Sequence, residues 1–371
     1  MRASINKRGG YAMTSTNLEL VIDADGHIVE DIPNILSRMP AAYQTEAQIR
    51  KFALFPPVDH LHSTNLQTMP PGAFANVGPE GWLDFLQDVG IEKTVLYPSE
   101  GLRSGKIVNI DWAIDVTRAY NDWLADTYSR WNDRFVGIAL LPMQEPGAAV
   151  EELNRVVTEL GMPGAMLPGV GLKAPLGGHE YWPVFAEADR LGCSLAVHGG
   201  VHMSIGMDYL TPYAPVHALG HPFALMISLA SIVFNGLFDK YPNARIGFLE
   251  GGVSWFLTCL ERFERSYDSH SQYNLRGEFI DLTKETVSQA MLRYIKEGKL
   301  FIGCEGGERE LAHAVKVIGK EPFMYSSDFP HEVNNESCKA ELQEILESDE
   351  MSAEERTAVL SGNAQRFYKL T

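Results

Sequence analysis

Three short segments of the chain each end an apolar run on side chains that bind metal ions. They read Val21-Ile22-Asp23-Ala24-Asp25-Gly26-His27, Ala196-Val197-His198-Gly199-Gly200 and Tyr325-Ser326-Ser327-Asp328-Phe329-Pro330-His331. Alternate residues of a strand face one side, so Asp23, Asp25 and His27 are expected to project together, with Asp25 and His27 on one cation. Imidazole suits zinc, manganese and iron, and carboxylates widen the choice toward harder cations. Asp25, His27, His198 and Asp328 thus form a two-histidine, two-carboxylate set for one divalent ion, with zinc expected first and manganese or iron as alternatives. Taken singly, each has a plainer use: His198 as a hydrogen-bonded structural residue, Asp25 as a turn residue beside Gly26, Asp328 as a cap for the segment that follows. Their coincidence at three separate strand ends favours the metal.

Bringing three such ends together requires a sheet whose strands all point one way. Short apolar runs at 19–25, 94–98, 135–142, 164–168, 194–198, 245–250, 300–305 and 323–328 alternate with amphipathic stretches at 110–131, 146–160, 181–191, 222–240 and 253–267. That alternation predicts β–α units, a parallel sheet and, with eight strands, a closed α/β barrel of the (β/α)8 TIM type. Gly161 and Gly192 stand where a left-handed residue ends a helix. Asp25-Gly26-His27 occupies the place of a phosphate-binding glycine fingerprint, which weakens a dinucleotide-binding alternative. Proline-rich residues 28–79 form a long insertion after the first strand, and 199–220 another after the fifth, with a further insertion after the sixth; all rise from the active-site face of such a barrel. Residues 1–17 are expected to be a flexible N-terminal segment and 18–371 a single barrel domain.

Lys and Arg number 31 against 48 Asp and Glu, a net charge of −17, and the longest basic cluster is Lys7-Arg8. This charge disfavours nucleic acid and anionic membrane surfaces as partners. Cys193, Cys259, Cys304 and Cys338 have no metal-type spacing and are expected to be reduced and mostly buried. No stretch reads as membrane-spanning and no signal peptide is evident, so the expected location is the cytoplasm.

The segment Asp23-Ala24-Asp25-Gly26-His27-Ile28-Val29-Glu30 resembles the opening motif of amidohydrolase-superfamily proteins of the aminocarboxymuconate-semialdehyde decarboxylase-like branch. Val197-His198-Gly199-Gly200 resembles that branch's fifth-strand histidine motif, and Ser326-Ser327-Asp328-Phe329-Pro330-His331 its eighth-strand aspartate motif. Gly236-Leu237-Phe238-Asp239-Lys240-Tyr241-Pro242-Asn243 and Gly362-Asn363-Ala364 are similar to its turn before strand six and its closing motif. The resemblance implies a distorted barrel holding one divalent metal, usually zinc or manganese, on Asp25, His27, His198 and Asp328, in enzymes that decarboxylate, hydrolyse or hydrate aromatic or ring-derived acids. Two departures stand out. Asp25 replaces the more common first histidine of the strand-one pair, and Glu250 stands where many relatives carry a catalytic histidine at the end of strand six.

Glu250 is expected either to pair with Arg245 or Arg262 or to serve as a proton-transfer carboxylate, and Glu305 at the end of the seventh strand has the same geometry; Glu308 and Arg309 are expected to be solvated. His331 and His221 are candidate replacements for the missing histidine, with His202 and His217 on the following loop as weaker ones. Arg103 is a candidate partner for a substrate carboxylate, and Phe52, Phe55, Phe74 and Trp82 either line a pocket or fill the core. The first expected reaction is hydrolysis of a small, aromatic or ring-derived carboxylic or carbonyl substrate by metal-activated water, with Asp328 as general base and Glu250 or His331 returning the proton. Non-oxidative decarboxylation of an aromatic or enoic acid is the second, and an inactive small-molecule-binding barrel the third. The resemblance and the apolar segment 223–238 also imply a homo-oligomer, a dimer or tetramer.

Overall fold

In the computed structural model, which describes residues 19–44, 53–57, 71–271 and 273–370, nine parallel strands follow one another in chain order. They are β1 (Ile22–Ile28), β2 (Lys93–Pro98), β3 (Phe135–Gly137), β4 (Ala139–Leu140), β5 (Gly164–Pro168), β6 (Ser194–His198), β7 (Arg245–Leu249), β8 (Leu300–Cys304) and β9 (Phe323–Tyr325). β1-β2-β3 form one sheet and β4 through β9 another. β3 and β4 are halves of a single stave interrupted at Ile138, whose N–H still reaches Leu96 O on β2 at 3.1 Å. Beyond β9 the chain closes onto β1 through Asp328 N–H to Asp25 O, 3.0 Å, and His27 N–H to Phe329 O, 2.7 Å. The eight predicted strands therefore appear as eight staves of a distorted (β/α)8 barrel. Every residue of β1, β5, β6, β8 and β9 is buried, as the apolar runs required of strands covered on both faces.

Outside the barrel lie α1 (Ile32–Arg38), α2 (Gly78–Val89), α3 (Ile110–Leu124), α4 (Pro146–Thr158), α5 (Trp182–Leu191), α6 (Tyr213–Phe234), α7 (Ser254–His270), α8 (Val287–Lys296), α9 (Leu311–Ile318) and α10 (Asn335–Leu346). Gly161 and Gly192 take the left-handed conformation expected of them, with φ 71° and 58°. All four cysteines are buried and free.

The predicted helix at 222–240 needs correction. Reading Pro222 as a helix start is overridden by packing: α6 begins nine residues earlier, at Tyr213, and carries Pro222 inside it. Val216, Leu225, Leu229 and Ile232 bury its inner face, which offsets the hydrogen bond a proline cannot make. The insertion after β6 shrinks to 199–212, and His217 and His221 move from loop to helix. α6 is also long and apolar enough to cross a membrane by length and composition, contrary to the sequence reading, and half of its most apolar window is buried in the protein.

Of the insertion after β1, residues 28–44, 53–57 and 71–79 are described; Phe52 and the predicted segment 1–17 lie outside the described residues. Phe55 and Trp82 are core, each 1% exposed, and Trp82 packs edge-on against Phe85 and Phe329.

Candidate metal centre

β1, β6 and the turn after β9 bring Asp25, His27, His198 and Asp328 together at the C-terminal mouth of the barrel. His27 Nδ1 lies 2.8 Å from Pro98 O, so it donates its proton there and leaves the Nε2 lone pair free. That lone pair faces Asp25 Oδ1 at 3.5 Å and Asp328 Oδ1 at 3.4 Å. His198 repeats the arrangement, with Nδ1 3.1 Å from Gly199 O and Nε2 3.4 Å from Asp25 Oδ2. Asp25 Oδ1, His27 Nε2 and His198 Nε2 are buried without a hydrogen-bond partner, and buried Asp328 Oδ1 has His331 Nδ1 2.9 Å away. Buried polar atoms are rarely left unpartnered. Donor atoms of Asp25, His27 and His198 lie within 4.8 Å of one another, as do those of His27, Asp328 and His331, so two groups that share His27 present the chemistry that fits a divalent cation.

The charges in the protein alone show the same strain. Burial pushes the Asp25 carboxyl up to about 6, against the pull of His198. Burial, with the charges of His331 and His198, holds His27 well below its ordinary value. For His198 burial works against the charged ring, but Asp25 lifts it to about 9.

Asp23 does not join the cluster as strand alternation predicted. A register shift between Asp23 and Gly26 breaks the alternation. The Asp23 carboxylate instead accepts from Thr94 Oγ1 at 2.7 Å, Ser327 N at 2.8 Å and Ser327 Oγ at 2.9 Å, locking β1 to β2 and to the turn after β9.

Two carboxylates at the mouth sit on strained backbone. Glu250 and Asp328 have φ of 58° and 54°, a left-handed conformation that costs a residue with a Cβ roughly 1–2 kcal/mol. Glu250 pairs with histidines rather than with Arg245, which donates to Phe367 O at the other end of β7. Its Oε2 lies 3.1 Å from His221 Nδ1 and 3.4 Å from His198 Nδ1. Burial would raise its carboxyl, but His221 and His198 hold it well below the usual range.

His331 lies beside Asp328, with Nδ1 2.9 Å from Oδ1, while its Nε2 meets Ser99 Oγ at 2.8 Å. Its ring stacks on His27 at 4.0 Å and on Phe74 at 5.1 Å. Burial opposes its charge, yet Asp328 lifts it to about 9. Glu305 is pushed up to about 8 by burial and by Asp328 and Glu308. Glu308 is not simply solvated: it accepts from Val253 N at 2.7 Å and Glu305 N at 2.8 Å.

His202 is buried and packs edge-on against His221 at 5.0 Å. Arg103 is paired within its own turn, 3.3 Å from Glu100, and lines no part of the cavity at the mouth. That cavity, about 350 Å³, is lined by Glu250, Glu305, Asp328, His217 and His221 among others. The sequence reading missed Ser99, which only the fold brings to His331. It quoted Glu30 without a role: buried, Glu30 accepts from Glu100 N at 3.0 Å and Gly101 N at 2.8 Å, pinning the turn after β2.

The sequence profile of the family described as Amidohydrolase matches residues 22–370. Gamma-resorcylate decarboxylase of Rhodococcus jostii is 28% identical over 281 residues, 70% of this chain and 78% of that one. The 2-amino-3-carboxymuconate-6-semialdehyde decarboxylase of Dictyostelium discoideum is 26% identical over 259 residues, 70% of this chain and 67% of that one. Among solved structures, 5-carboxyvanillate decarboxylase of Novosphingobium aromaticivorans, with bound manganese and 3-methoxy-4-hydroxy-5-nitrobenzoic acid, superposes with a TM-score of 0.68 at 19% identity, covering 95% of this chain and 97% of that one.

Proposed function

The chain belongs to the amidohydrolase family, and from that premise we propose that it is a metal-dependent enzyme that removes carbon dioxide from a small aromatic acid without oxidation. The relatives just described are decarboxylases, which moves this reaction ahead of the hydrolysis expected first from the sequence. The observation that carries the reading is the buried pair of His331 and Asp328, 2.9 Å apart. Decarboxylation leaves the electron pair of the broken carbon–carbon bond on the ring carbon, which then needs a proton. A site for it should therefore hold an acid, whereas metal-assisted hydrolysis asks for a free base.

Asp328 lines the cavity, and behind it stands an imidazole that Asp328 lifts to about 9. His331 Nδ1 holds the proton against Asp328 Oδ1, and Asp328 passes it to the ring carbon as carbon dioxide leaves. Solvent then restores the proton on His331. Ser99 Oγ fixes the other ring nitrogen, so the proton-bearing edge stays on Asp328. Asp25, His27, His198 and Asp328 would hold the divalent ion, with manganese now ahead of zinc because a structurally similar decarboxylase contains it. When bound, it supplies positive charge for the substrate carboxylate and an adjacent ring oxygen. Glu250 positions His198 through its Nδ1 edge.

The test is a screen of manganese-loaded protein: hydroxy- and methoxybenzoates assayed for carbon dioxide, and esters, lactones and amides assayed for released acid. Carbon dioxide from an aromatic acid, lost in Asp328→Asn, is the expected result. Acid release alone would replace this reading with hydrolysis. A folded protein with neither turnover nor bound metal would leave the inert barrel.

A further inference from the structure

The cavity at the mouth is walled by carboxyl groups. Glu250, Glu305, Glu308, Asp328, Glu332 and Glu341 all line it, with no Lys or Arg among its lining residues. Burial and mutual repulsion push Glu305 up to about 8 and Glu341 up to about 7, and raise Glu308 and Glu332 as well. For an aromatic carboxylate to enter here, these carboxyls must either keep their protons or take up a further cation.

The same wall contains a second group of metal-binding side chains that shares no residue with the first four. His217 and His221 lie four residues apart on α6 and so share one helix face. Glu250, on its left-handed backbone, meets them from the end of β7. One ligand atom from each of the three lies within 4.8 Å of the others. His221 is 7% exposed. Its Nδ1 and Glu250 Oε2 are 3.1 Å apart, neither atom makes a hydrogen bond, and Glu250 Oε2 also lies 3.4 Å from His198 Nδ1. Glu332 Oε1, 3.6 Å from His217 Nε2, brings a fourth donor within reach.

We propose that His217, His221 and Glu250 hold a second divalent cation at the cavity wall, with Glu332 as an additional oxygen ligand. Two imidazoles with carboxylate oxygens suit manganese, zinc or iron. The ion neutralises part of the acidic wall, so that an anionic substrate reaches the first centre. The site does not depend on the reaction proposed above.

The experiment counts metal. Full-length chain stripped with a chelator is dialysed against manganese chloride, and bound manganese is measured by emission spectrometry. Two ions per chain are expected in the wild type. One is expected in His217→Ala and in the more conservative His217→Gln, and one in His27→Gln. The His217 side chain is 39% exposed, so its replacement leaves the fold intact, which circular dichroism verifies. Two ions retained in both His217 variants would overturn the second site. A single wild-type ion, lost only in His27→Gln, would overturn it too while leaving the first centre standing. No manganese in any variant would sink both.

Discussion

His27 and His198 show how one hydrogen bond decides what a side chain can do. Each commits Nδ1 to a backbone carbonyl, Pro98 O or Gly199 O, and so presents Nε2 as a bare donor. His331 differs, because both of its nitrogens are engaged and one of them faces a carboxylate. His331→Gln should therefore keep its metal but lose proton delivery: manganese content unchanged, and carbon dioxide release down roughly 10²- to 10⁴-fold. Loss of the metal along with activity would make His331 a structural support of the centre instead. Glu30 supplies a pH prediction away from the ligands. Burial pushes its carboxyl up to about 7, despite the backbone N–H groups of Glu100 and Gly101. Raised in the folded state, the group binds its proton more tightly there than in the unfolded chain. Its stabilising contribution is full below about pH 4.5 and is lost as pH rises to about 7, by roughly 3 kcal/mol. Denaturant titrations of wild type and Glu30→Gln should show the wild-type advantage shrinking across that window and flat above it; an advantage that grows with pH would contradict the assignment.

At the scale of elements, the strands were legible because burial on both faces forces continuous apolar runs, and 164–168 and 194–198 coincide with β5 and β6 to the residue. The four candidate ligands stand out in the sequence because each lies at the end of such a run. What escaped the sequence has particular causes. The bulge between Asp23 and Gly26 leaves no mark on a period-two pattern, so alternation turns Asp23 to the same side as Asp25 and His27, whereas it is a strap between strands. Pro222 imitates a helix start, and moving that start to Tyr213 is what places His217 and His221 on one face. With the boundary read correctly, their four-residue spacing was a signal available in the sequence. Gly26 tests the bulge. A Cβ there would lie 2.5 Å from Thr94 Oγ1, 2.6 Å from Asp23 Oδ2 and 2.7 Å from the Trp82 ring. Gly26→Ala should cost about 1–3 kcal/mol of stability and weaken manganese binding, because the displaced segment carries both Asp25 and His27. Wild-type stability together with wild-type metal affinity would mean that the neighbours yield and that the bulge does not set the ligand geometry.

For the whole molecule, the decisive feature is where the ligands sit relative to the break in the barrel. Asp25 and His27 belong to the three-stranded sheet, His198 to the six-stranded one, and Asp328 to the turn that closes β9 onto β1. An ion held by all four would tie the two sheets together. It would also supply a partner for the buried Asp25 Oδ1, His27 Nε2 and His198 Nε2. The unfolded chain cannot assemble this set, so binding free energy adds to folding stability by mass action, about 2.7 kcal/mol at a hundredfold excess of manganese over its Kd. Tm should therefore climb by a few degrees with added manganese and continue upward logarithmically with its concentration, while a chelator reverses the shift. Asp328→Asn removes the donor at the closure and should flatten that dependence, whereas His217→Ala should leave most of it, since α6 and the end of β7 are already joined within one half of the barrel. A manganese-dependent Tm that survives Asp328→Asn unchanged would place the stabilising ion somewhere other than between the two sheets.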